Sequence, residues 1–174
     1  MTDLPSKIFL IGFMGVGKSH WGKRLSLALN YQFIDLDEEI IQKAGVNSIN
    51  QLFEEQGEDR FRMLEAACLQ SVCNSSEPSV IACGGGAPCY FDNLQLMKAA
   101  GLVIWLAATS AELLPRLIAE KDSRPLIRQL DKASLHSYVE QKMADRLPYY
   151  QQAHRIVLES TLTESDHVQK LLYE

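Results

Sequence analysis

The chain has 174 residues, of which 47% are hydrophobic and 22% charged, and its formal net charge is −5. That is the size of one domain, able to bury roughly 70% of its unfolded surface without disulfide or metal staples. The acidic balance excludes a nucleic-acid partner held by a general positive field, and no run approaches the ~18 apolar residues of a membrane span. Met1-Thr2-Asp3-Leu4-Pro5-Ser6 has neither the basic start nor the apolar core of a signal peptide, so a cytoplasmic protein, monomeric by default, is expected.

The first apolar run, Ile8 to Ile11, reads as a strand and leads into Gly12-Phe13-Met14-Gly15-Val16-Gly17-Lys18-Ser19, the pattern G-x-x-x-x-G-K-[ST]. In such a loop glycines let successive N–H groups curl around phosphate oxygens, and the following helix, here Gly17 to Leu29, aims its positive end at them. Lys18 brings a point charge toward the β and γ phosphates, and Ser19 offers a hydroxyl to Mg²⁺. A bound nucleoside triphosphate is the expectation.

Further apolar runs at Phe33 to Leu36, Val80 to Cys83, Leu102 to Leu106 and Arg155 to Leu158 alternate with helical patterns. Alternation of this kind predicts βαβ units: an α/β fold with a five-stranded parallel sheet and helices on both faces, since the runs are continuously apolar. Helices are expected over Asp37 to Ala44, over Ile49 to Glu55 behind a Ser48-x-x-Gln51 capping box, and over Gly57 to Cys73 with the stripe Phe61, Leu64, Cys68, Val72. A second box, Thr109-x-x-Glu112, opens a helix with Pro115 in its interior, where a kink is expected. Ser134 to Tyr150 and a segment from Thr163 complete the set, and the charged stretch Lys121 to Lys132 reads as a mobile loop.

A phosphate loop alone does not separate a GTPase, an ATPase and a small-molecule kinase. No N-K-x-D guanine-reading motif occurs, and the strand ending in Cys83 runs into Gly84-Gly85-Gly86 with no aspartate for a metal. The metal carboxylate must come from elsewhere. Asp35 and Asp37 close the second predicted strand, where residues i and i+2 share a face with Cα atoms roughly 6 to 7 Å apart. Two carboxylates so close imply one directed at metal and one at substrate; the alternative is that Asp37 caps the helix beginning at Glu38. The three glycines lie where open α/β sheets bind ligands, though a flexible turn fits the same residues.

The cysteines Cys68, Cys73, Cys83 and Cys89 are 5, 10 and 6 residues apart, which matches no zinc or disulfide framework, so free thiols are expected. His20, His136, His154 and His167 sit at no metal-ligand spacing.

Taken together, GFMGVGKS, the Asp35-Leu36-Asp37 pair, Gly57-Glu58 with Phe61-Arg62, Gly84-Gly85-Gly86-Ala87, Ser123-Arg124-Pro125-Leu126 and Arg146-Leu147-Pro148-Tyr149-Tyr150 resemble the shikimate kinase family. The pieces fall in family order and span most of the chain. The resemblance implies a fold like that of nucleoside monophosphate kinases, in one kinase domain with a substrate-binding region about 35–64 and a lid about 119–132. It implies transfer of the ATP γ-phosphoryl group to the 3-hydroxyl of shikimate. Within that resemblance Asp35 and Ser19 approach Mg²⁺, Asp37 orients the acceptor hydroxyl or takes its proton, and Arg62 and Arg146 clamp the shikimate carboxylate. Gly84, Gly85 and Gly86 form a backbone platform for the ring hydroxyls. Gly12, Gly15, Val16, Gly17, Lys18, Ser19, His20 and Arg116 face the nucleotide, and Arg124 reaches the phosphates from the lid. Helical periodicity does not choose between Arg60 and Arg62, each about 100° from the Phe61 stripe; the resemblance chooses Arg62. A kinase of another polyol acid such as gluconate, or a non-catalytic nucleotide-binding relative, are the competing readings.

Overall fold

The structure is a computed structural model that describes residues 4–121 and 126–173. Among these residues β1 (Lys7–Ile11), β2 (Gln32–Asp35), β3 (Ser79–Ala82), β4 (Leu102–Ala107) and β5 (Arg155–Leu158) form one sheet in the order β2-β3-β1-β4-β5. Every pairing is parallel. The expected α/β class and strand number hold.

Helices α1 (Lys18–Leu29), α2 (Leu36–Ala44), α3 (Ile49–Asn74), α4 (Asn93–Ala100), α5 (Ser110–Ala119), α6 (Lys132–Tyr150) and α7 (His167–Leu172) cover the sheet. Side chains alternate along β1, so Ile8 and Leu10 join one core with Leu25, Leu113, Leu117, Val139 and Leu171. Phe9 and Ile11 join the other with Leu52, Leu64, Leu69, Leu94 and Met97. Both faces of β1 are therefore dry, which is why Ile8 to Ile11 form an unbroken apolar run.

Several boundaries differ from the sequence reading for local reasons. The second helix begins at Leu36, because Asp35 caps it by accepting from the Asp37 N–H at 3.1 Å; Asp37 itself lies inside the first turn. The extended i, i+2 geometry expected for the two aspartates is thus replaced by a cap and a helical residue. The two helices expected on either side of Glu55 and Gly57 form α3, bent where Gly57 takes φ 78°, ψ 174°. The Ser48 box is half formed: Ser48 Oγ accepts from Gln51 N at 3.1 Å, but the Gln51 side chain accepts from Asn47 N instead. The Thr109–Glu112 box is complete, and α5 runs on through Pro115 to Ala119.

Helix α4 had no counterpart in the sequence reading. Its N-cap Asp92 makes no side-chain cap and its eight residues show little of the capping signal that marks the others. The last helix starts four residues beyond Thr163, which instead closes a turn with Asp166. Of the expected Lys121–Lys132 loop, residues 122–125 lie outside the described residues, Asp131 caps α6, Lys132 opens it, and Ile127 is fully buried. The four cysteines are free, Cys68 and Cys83 buried as small apolar side chains.

Candidate active site

The sheet order reverses at β1: the chain moves from β1 outward to β2, returns through β3, and later crosses to β4 on the other side. In open parallel sheets the crevice at such a point, beyond the carboxyl ends of the strands, is where ligands bind. Here the loops after β1 and β3 meet there, so that a Cβ added to Gly85 would lie 3.3 Å from both the Gly12 carbonyl oxygen and the Met14 nitrogen.

The loop between β1 and α1 turns on Gly12, Gly15 and Gly17, all at positive φ. At Gly12 (φ 139°) any side chain would run into the Leu106 carbonyl. Helix α1 starts at Gly17 with no side-chain cap and no acid in its first turn, whereas α2 carries Asp37, Glu38 and Glu39 in its first turn behind the Asp35 cap. An N-terminus without a side-chain cap or an acid in its own first turn suits an anion. The Lys18 ammonium donates to the carbonyls of Gly12 (2.8 Å) and Phe13 (2.9 Å), which holds it over the loop. Val16 is wholly buried and its N–H donates to Phe13 O at 3.3 Å, so its contribution is to the shape of the loop.

Ser19 and Asp35, from α1 and the end of β2, converge: the hydroxyl donates to Asp35 Oδ2 at 2.7 Å. Two adjacent hard oxygens beside a phosphate loop are the donor set that Mg²⁺ takes when it keeps waters and phosphate oxygens for its remaining positions. The residues fit the ion.

Opposite the loop, a cavity of about 490 Å³ is lined by Lys18, Asp37, Arg62, Glu65, the three glycines and Arg146. Arg62 is 5% exposed, against the exposed Arg60 one residue before Phe61. Its Nε and Nη2 donate to Glu58 Oε1 (3.2 and 2.9 Å), and Nη1 donates to Glu65 Oε2 (2.9 Å). The Tyr90 ring covers it at 4.1 Å. Burial opposes the Arg62 charge, but Glu65 and Glu58 outweigh that and hold its pKa above the ordinary value. Arg146, 7% exposed, lies over the Phe13 ring at 5.2 Å, and its buried Nη1 has no hydrogen-bond partner among the described residues.

The glycine run fits between these charges. A Cβ on Gly84 would sit 2.8 Å from Glu65 Oε1, on Gly85 3.0 Å from Arg146 Nη1, and on Gly86 2.8 Å from both terminal nitrogens of Arg62. Three charged side chains press on three consecutive backbone units, so the run is closely packed and leaves no room for side chains of its own. Tyr150 donates to the Gly85 carbonyl at 2.6 Å, and Asn93 to Ala87 O at 3.0 Å, so the run is held from both sides.

Glu65 escaped the sequence reading. It is fully buried, and burial pushes its pKa up to about 7 although Arg62 pulls the other way. The signal was present: Glu65 stands four residues after Phe61 on the apolar face of α3, where a carboxylate requires a partner. Tyr90 was also missed, since nothing in its local spacing marks it; Glu58 and Tyr150 stand in the motifs that carry the resemblance but were given no role there, although Glu58 lies one helical turn before Arg62.

Of the remaining predicted residues, His20 lines the same cavity and Arg116 lies beside the phosphate loop. His20 is exposed, accepts from Arg24 Nε at 3.1 Å and lies edge-on to Trp21. Arg116 reaches back from α5 to the Gly15 carbonyl (3.2 Å). Arg124 lies outside the described residues.

Residues 14–174 match the family model for shikimate kinase. The chain belongs to the shikimate kinase family. The shikimate kinase of Azobacteroides pseudotrichonymphae is 37% identical over 166 residues, covering 95% of this chain and 97% of that protein. A crystal structure of shikimate kinase from Bacteroides thetaiotaomicron superposes with a TM-score of 0.87 at 36% identity, over 95% of both chains. Shikimate kinase from Acinetobacter baumannii in complex with shikimate gives a TM-score of 0.85 at 32% identity, over 96% of this chain and 90% of that one. Such full-length coverage places the whole of this molecule within the family's architecture, that of the phosphate-loop kinases. Among the described residues no helix is long and apolar enough to cross a membrane.

Proposed function

We propose that this chain transfers the γ-phosphoryl group of ATP to the 3-hydroxyl of shikimate, giving shikimate 3-phosphate and ADP in the route to chorismate and the aromatic amino acids. The observation that carries the reading is the pairing, across one cavity, of a phosphate loop with two buried arginines. A small polyol acid has one carboxylate for the arginines and several hydroxyls for the glycine run.

In this reading Arg62 and Arg146 bind the shikimate carboxylate, and the Gly84–Gly86 backbone receives the ring hydroxyls. Asp37, half-buried at the cavity wall, orients the 3-hydroxyl toward the phosphate loop and accepts its proton as the bond to phosphorus forms. Lys18 offsets charge on the transferring group, with Arg124 assigned the same task from the lid, residues 119–132. Ser19 and Asp35 would hold Mg²⁺, which supplies neutralisation of the phosphate oxygens when bound. The region about 35–64 contributes the substrate side of a single kinase domain, and closure of the lid excludes water as a competing acceptor. We assign the protein to the cytoplasm, as a monomer without nucleic-acid or membrane partners.

The test is ADP release measured in parallel with shikimate, quinate and gluconate. Turnover with shikimate far above the others, and slow hydrolysis without any acid, is expected. Gluconate turnover without shikimate turnover would move the assignment to another acid, and tight ATP binding without transfer to any acid would make the chain a non-catalytic relative.

A further inference from the structure

Glu159 follows β5 and opens a short 3₁₀ turn, Glu159–Thr161, at the carboxyl end of the sheet. Its carboxylate joins elements far apart in sequence. Oε1 accepts from the indole N–H of Trp21 in α1 at 3.1 Å, and Oε2 accepts from Arg116 Nη2 in α5 at 2.9 Å. Through its other terminal nitrogen Arg116 donates to the Gly15 carbonyl in the phosphate loop. The Glu159 side chain is 13% exposed and that of Arg116 40%. Oε1 also stands 3.6 Å from where a Cβ on Gly17 would lie, so the carboxylate borders the turn into α1.

Such an arrangement is costly unless it is used. A carboxylate beside an anion-binding loop repels the anion, and its pairing with the positive Arg116 offsets that repulsion. A free arginine on α5 would sample many rotamers. One whose two terminal nitrogens are tied to Glu159 and Gly15 has its guanidinium plane set before any ligand arrives. Trp21 fixes the carboxylate in turn, so the arginine is oriented by a group that is itself oriented.

We propose that Glu159 is a positioning residue for the nucleotide, holding Arg116 against the phosphate loop. The inference rests on the reading of Arg116 as a nucleotide contact. It differs from a plain structural role in one respect, the sign of the coupling. Removing Glu159 costs orientation of the arginine; removing Arg116 costs the contact and also exposes the carboxylate to the triphosphate.

Steady-state kinetics of Glu159→Gln, Arg116→Ala and the double variant test this. Glu159→Gln is expected to raise the ATP KM about tenfold, the scale of one charge-assisted hydrogen bond, with the shikimate KM and kcat at saturating ATP unchanged. Arg116→Ala should raise it further, and adding Glu159→Gln to Arg116→Ala should lower it again, because the unpaired carboxylate is gone. Trp21 emission, isolated in a Trp105→Phe background, should change on ATP binding and lose most of that change in Glu159→Gln. If Arg116→Ala raises the ATP KM and Glu159→Gln leaves it unchanged, or if the two effects simply add, the positioning role is overturned. If Arg116→Ala itself leaves the ATP KM unchanged, the nucleotide role of Arg116 falls instead. Should Glu159→Gln not fold, Trp21→Phe carries the test, with a rise of about threefold expected and an unchanged ATP KM overturning the proposal.

Discussion

The two ends of the cavity are built on opposite plans. The phosphate-loop end comes from eight consecutive residues, uses backbone groups and one lysine, and opens on a helix start without acids. The far end draws Asp37 from α2, Arg62 and Glu65 from α3, glycines from the turn after β3 and Arg146 from α6, and it keeps most of that charge away from water. A triphosphate arrives with its own charge and needs only aimed dipoles, so a local loop suffices. A small acid offers one carboxylate and weak hydroxyls, so selectivity has to come from charges buried in advance. The first end is cheap to build and shared by many enzymes; the second is costly and specific.

The largest test of this contrast is Asp37→Asn, which keeps shape and removes charge at the point where the two ends meet. If Asp37 aligns the hydroxyl and takes its proton, kcat should fall by about 10²- to 10⁴-fold while the ATP KM stays near normal. Near-normal shikimate phosphorylation by the variant would remove Asp37 from the mechanism.

Next in size is Arg146→Ala. The unpartnered Nη1 makes this arginine the readier of the two to meet a carboxylate, since every nitrogen of Arg62 already faces Glu58 or Glu65. Loss of a charge-assisted bond worth about 1.5–3 kcal/mol should raise the shikimate KM about 10- to 150-fold, again sparing the ATP KM. A change confined to ATP would show that the ends are not separable as described. Gly86→Ala probes the same end more gently: its methyl meets both Arg62 terminal nitrogens, and the shikimate KM should rise several-fold at unchanged kcat. An unaltered KM would mean that Arg62 has room to move aside.

This division also explains what could be read from the chain. The phosphate loop is contiguous, so its chemistry was visible in spacing alone, and the apolar runs of the central strands β1 and β3 gave the sheet because both of their faces are covered, whereas Ile156 and Leu158 of the edge strand β5 are exposed. The acceptor end depends on contacts between residues 3 to 65 positions apart, and pattern alone left Arg60 and Arg62 equivalent until the family resemblance chose between them. Burial now supplies the physical reason: Arg62 is covered by Tyr90, which no periodicity connects to it, and is paired with Glu58 one helical turn before it. The aspartate pair was misjudged geometrically because a cap at Asp35 ends the strand one residue before the extended pairing could form.

The finest prediction concerns the cost of burying charge at the acceptor end. Glu65 has its pKa raised from 4.5 to about 7, chiefly by burial, so between those values the folded state holds a proton that the unfolded state has released. The contribution of this group to stability is therefore complete below about pH 4.5 and is lost as pH rises through about 7. Glu65→Gln cannot ionise, and the difference in unfolding free energy between it and the parent should shift in favour of the variant as pH climbs across that window. Denaturant unfolding at closely spaced pH values measures the difference directly. Parallel curves would mean that Arg62 fully compensates the Glu65 charge, and that the acceptor end carries its carboxylate at no greater cost than the phosphate loop carries its lysine.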